Sequence, residues 1–85
     1  MPEAIRAAEN APSAEELQAE FIARYGLTPR ETDVLRAVTR DERPLKQVAD
    51  NLGISLRMVQ RHLTSIYKKT DTQTRAGLTK EFAGK

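Results

Sequence analysis

The stretch Val48-Ala49-Asp50-Asn51-Leu52-Gly53-Ile54-Ser55, with Val59 four residues further on, leaves few folds open to this chain. Ala49 is small enough for two helix axes to approach closely. Gly53 can take, without steric cost, the positive φ that a tight turn after a helix demands. Val48, Leu52, Ile54 and Val59 place apolar groups on both sides of that turn and can weld the two helices together. Ser55 offers a hydroxyl oxygen to the unpaired N–H groups that open the second helix. Each feature is common alone. Their joint occurrence at four- and six-residue offsets specifies a helix-turn-helix, and an unrelated three-helix bundle with a glycine turn is the weaker alternative.

The flanking sequence supplies elements to pack around that pair. Ser13-Ala-Glu-Glu16 has the spacing of a capping box, and Leu17, Phe21 and Tyr25 recur every four residues before Gly26, which predicts a short amphipathic helix over 13–26. Thr28-Pro29-Arg30-Glu31 is the strongest helix start in the chain: a capping threonine, a proline at the first helical position and a glutamate that can reach back. Val34, Leu35 and Val38 give this helix a buried stripe, and it runs to about Arg40. After the polar loop Asp41-Glu42-Arg43-Pro44, a helix from about Leu45 buries Leu45, Val48, Ala49 and Leu52 and stops at Gly53. The helix capped by Ser55 continues to about Lys69 with Val59, His62, Leu63 and Ile66 on its inner face. A last helix, Arg75 to Phe82, carries Leu78 and Phe82 one turn apart, although Gly77 within it costs about 1 kcal/mol relative to alanine. Residues 1–12 lack an apolar period and are expected to form a flexible arm or linker.

Charge and composition narrow the function. The net charge of +2 conceals an acidic start, where residues 1–20 hold five Glu against one Arg (a net of −4), and a basic remainder. The helix beginning at Ser55 turns Arg57, Gln60, Arg61, Thr64 and Lys68 outward with no carboxylate among them, a face suited to a polyanion. Arginine can grip guanine and glutamine adenine through paired hydrogen bonds, so Gln60 and Arg61 are candidates for reading bases in double-stranded DNA, with Thr64 beside them. Arg57, Lys68 and Lys69 suit phosphates. The absence of cysteine excludes disulfides and thiolate metal sites, and a single histidine leaves no metal or cofactor constellation. His62, set on the inner face without a nucleophile partner, reads as a packed residue, so an enzyme is not expected. No apolar run is long enough to span a membrane and no basic-then-apolar leader opens the sequence, so a cytoplasmic location without membrane contact is expected.

Leu27-Thr-Pro-Arg-Glu-Thr-Asp-Val-Leu35, then Val48-Ala49 to Leu52-Gly53-Ile54-Ser55, then Val59 to His62 and Ile66-Tyr67-Lys68-Lys69, resemble the C-terminal domain of LuxR-type transcription regulators over about residues 27–82. The resemblance implies an all-α, four-helix helix-turn-helix domain over 27–85 for transcription regulation, here preceded by the short N-terminal helix and arm. It implies base contacts at Gln60, Arg61 and Thr64 and DNA-backbone contacts at Thr28, Ser55, Lys68 and Lys69. It also implies a weak homodimer formed on DNA through the last helix, with Leu78 and Phe82 as the interface. Pro44 stands where such domains usually carry a capping Ser or Thr, Met58 where they carry Thr, and Thr70-Asp71-Thr72 where they carry Leu-Gly-Val. Two other readings share the motif: a helix-turn-helix used for protein contact, for example with RNA polymerase, and a sigma-factor-like promoter reader.

Overall fold

The computed structural model describes residues 13–83, and within them the chain is all-α with no strand. Five helices follow in order: α1 (Ala14–Arg24), α2 (Pro29–Arg40), α3 (Leu45–Leu52), α4 (Leu56–Thr70) and α5 (Arg75–Phe82). The arm expected over residues 1–12 lies outside the described residues.

The helix starts follow the local chemistry that the sequence announces. Ser13 and Glu16 close a capping box on α1, with bonds of 3.1 Å from Glu16 N–H to the serine Oγ and 2.8 Å from Ser13 N–H to the glutamate Oε1. Thr28 and Glu31 do the same for α2, with Pro29 at the first position. Ser55 Oγ accepts from Met58 N–H at 3.1 Å to open α4. Only α3 begins without a side-chain cap, because Pro44 precedes it and can offer just its carbonyl.

Three helices end in one geometry. Gly26 and Gly53 take φ of 63° and 69°, and the residue after each donates its N–H back to the helix: Leu27 to Ile22 O at 3.1 Å and Ile54 to Ala49 O at 3.0 Å. This left-handed turn after α3 is the tight corner that Gly53 predicts. At the end of α4, Asp71 adopts φ 57° in the same role, with Thr72 N–H reaching Tyr67 O at 3.0 Å.

The core gathers Val34, Leu35 and Val38 of α2, Val48 and Ala49 of α3, Val59, Leu63 and Ile66 of α4, and Leu78 and Phe82 of α5, with Leu27 from the first turn. Leu78 and Phe82, expected to meet a second copy, are 0% and 6% exposed within the chain itself. The reason lies in the size of the domain, which has so few large apolar residues that α5 must contribute both of its own to close the core. Gly77 also finds its explanation. A Cβ there would stand 3.0 Å from Thr74 Oγ1, the atom that caps α5 by accepting from Gly77 N–H at 2.9 Å.

α1 leans on this core from the side. Phe21 meets Phe82 edge-on with ring centres 5.3 Å apart, and Arg36 of α2 donates to Gln18 at 3.3 Å. Phe21 and Tyr25 are half-buried while Leu17, the third member of the expected stripe, remains exposed.

Candidate functional site

α4 has two contrasting sides. Val59, Leu63 and Ile66 are buried, whereas Arg57, Gln60, Arg61, Thr64 and Lys68 all stand exposed on one broad face. Arg61, Thr64, Ser65 and Lys68 line a shallow recess along it. The 3.6-residue period produces this split, since residues at i, i+3 and i+4 share a side. No acidic residue occurs anywhere in α4, so the face is positive without internal compensation. Thr64 Oγ1 donates to Gln60 O at 3.0 Å, which holds its hydroxyl against the helix.

The hydroxyls expected to meet a phosphate backbone, Thr28 and Ser55, both serve as helix caps. Each accepts an N–H with one lone pair and keeps its own proton free to donate outward, so capping and anion contact are compatible. His62 is half-buried on the flank of the inner face.

Lys69 is engaged rather than free. Its ammonium lies 2.7 Å from Glu31 Oε1 and donates also to Gly26 O at 3.2 Å. Glu31 is the hub of this corner, a carboxylate only 5% exposed. Its Oε1 accepts from Thr28 N–H and from Lys69, and its Oε2 accepts from Ser65 Oγ. Burial alone would raise the Glu31 carboxyl, but hydrogen bonds from Lys69, Ser65 and Thr28 outweigh it and lower the pKa from 4.5 to about 2. The start of α2 is thereby tied to the last turns of α4, which sets the roll of the exposed face.

A second tie runs through Arg75, at the first position of α5. Its guanidinium donates to three carbonyls: Val38 O at 2.9 Å, Asp41 O at 2.8 Å and Arg43 O at 2.6 Å. Carbonyls at the end of α2 and in the loop leading to α3 are both satisfied by this one side chain. Within the loop, Arg43 donates through Nε at 2.8 Å and Nη2 at 2.7 Å to the two oxygens of Asp41. These bonds hold the Asp41 carboxyl at about 2.

Glu31, Ser65 and Arg75 tie the helices together through bonds that the sequence reading did not single out. Glu31 carries a local signal, its place in the capping box, but its other partners lie 34 and 38 residues away. Nothing in a single sequence reports those distances.

A family model described as bacterial regulatory proteins, luxR family, matches residues 25–82. A protein of Cyanophora paradoxa described as probable transcriptional regulator ycf29 is 40% identical over 57 residues, covering 67% of this chain and 27% of that protein. The chain thus spans about a quarter of the length of the curated relative it matches. No solved structure matches significantly.

Proposed function

This chain belongs to the luxR family of bacterial regulatory proteins, and on that premise we propose that it binds double-stranded DNA sequence-specifically, with α4 lying in the major groove. The observation that carries the reading is the two-sided character of α4: an apolar side locked into the core and an exposed side of Arg57, Gln60, Arg61, Thr64 and Lys68 with no carboxylate.

In this reading Gln60, Arg61 and Thr64 meet base edges. Arg57 and Lys68 neutralise phosphates, while the outward protons of Thr28 and Ser55 donate to phosphate oxygens on either side. Lys69 reaches the backbone only by sharing its ammonium with Glu31, so its first task is to hold α4 at the angle that presents Gln60 and Arg61. Two copies pair on DNA where half-sites lie about one helical turn apart. With Leu78 and Phe82 inside the core, such a pairing falls to the outer residues of α5, Ala76 and Lys80, and is weak.

Selection of bound duplexes from a random pool, followed by anisotropy titrations on the enriched sequence and on a scrambled one, tests the proposal. Enrichment of a defined sequence bound at least a hundredfold more tightly than the scrambled duplex supports it. A pool that returns no preferred sequence removes it.

A further inference from the structure

Apart from Leu17, the large hydrophobic side chains exposed among the described residues are Leu56 and Met58, at 39% and 38%. Both belong to the first turn of α4, on either side of Arg57. Leu56 sits one turn before Gln60 and Met58 one turn before Arg61, so the two flank the exposed basic face at the end of the helix that leads into a groove. The fold does not require them there. Val59 secures this turn with a fully buried side chain, and Ser55 caps it.

The surroundings indicate what covers these side chains. A protein partner that received them in an apolar pocket would also have to accommodate Arg57, Arg61 and Lys68 without help from any carboxylate of α4. A DNA major groove answers both needs, with phosphates along its rim and, on its floor, one apolar group, the 5-methyl of thymine. We propose that Leu56 and Met58 are specificity residues that read thymine methyl groups next to the base pairs met by Gln60 and Arg61. The assignment rests on the DNA-binding reading above and adds the base class that the first turn selects.

The test uses the duplex enriched by selection. Each thymine is replaced in turn by deoxyuridine, which removes the methyl and leaves every hydrogen-bonding group in place. The unchanged protein should lose about fourfold in affinity at one or two positions, the worth of one buried methyl group. Met58→Ser and Leu56→Ser should each erase one such penalty while binding the deoxyuridine duplex as the unchanged protein does, and their circular dichroism should match it. Affinity indifferent to every deoxyuridine, penalties that persist in both variants, or an enriched site lacking thymine overturns the assignment and leaves sequence-specific binding standing. Failure to enrich any site removes both. The scan on the unchanged protein decides the matter even if a variant folds poorly.

Discussion

Asp71 closes α4 with φ 57°, a conformation that costs an L-residue about 1–2 kcal/mol and that glycine adopts freely. Its carboxylate also faces the negative end of the helix dipole, about 0.3–1 kcal/mol of further opposition. Asp71→Gly relieves both and loses part of the gain to the greater freedom of the unfolded chain, about 0.4–1 kcal/mol. A net stabilisation of about 1 kcal/mol is expected, a rise in Tm of roughly 4–8 °C by thermal denaturation. A lower Tm would mean that the aspartate makes a compensating contact. At the same scale, reading and holding separate by substitution. Arg61→Ala should weaken the preferred duplex by about 1–3 kcal/mol and random DNA little, whereas Lys68→Ala should weaken both alike. Equal losses on the two duplexes for Arg61→Ala would move it among the phosphate contacts.

Between elements, the Glu31 carboxylate makes the α2–α4 junction sensitive to acid. Its pKa is about 2 when folded against an ordinary 4.5. A depressed carboxyl of this kind contributes stability that is complete above the ordinary value and is lost as pH falls towards the folded one. The domain should therefore lose up to about 3 kcal/mol between pH 5 and pH 2, with Asp41 acting in the same direction. Urea titrations at pH 5 and pH 3 measure the loss, and Glu31→Gln should flatten the profile while lowering stability at pH 5. An unchanged urea midpoint in the original chain would contradict the role given to Glu31. The elements themselves were legible beforehand because their signals are local: Thr28-Pro29-Arg30-Glu31 started α2, Gly53 ended α3, and Ser55 opened α4, each through bonds spanning three to five residues. The exposed face of α4 was legible for the same reason. The Glu31–Ser65 and Arg75–Val38 ties were not, since no periodicity links residues over thirty positions apart. The burial of Leu78 and Phe82 within the chain was not legible either, because two apolar residues one turn apart look the same whether they face a partner or the core.

For the molecule as a whole, the basic surface and the closed core lead to separate expectations. With about four phosphates neutralised per copy, log K should fall with log salt at a slope of about −3.6, and twice that for a pair on adjacent half-sites. Anisotropy titrations across a salt series give the slope directly, and a flat series would refute the electrostatic account. Free in solution at micromolar concentration the chain should sediment as a monomer, because α5 has no large apolar side chain left to offset the cost of association. Phe82→Ala should accordingly act on folding, costing about 3–5 kcal/mol in denaturant titrations, instead of on assembly. A Phe82→Ala chain of unaltered stability would return that residue to the interface.

Arg75 also imposes an order in time. The carbonyls of Val38, Asp41 and Arg43 cannot meet its guanidinium until the chain has grown 32 residues past Arg43. At about 5–20 residues per second, translation reaches Arg75 only about 2–6 s after it has passed Arg43. Until then the three carbonyls lack this donor, and the corner between α2 and α3 is closed only once the start of α5 is in place.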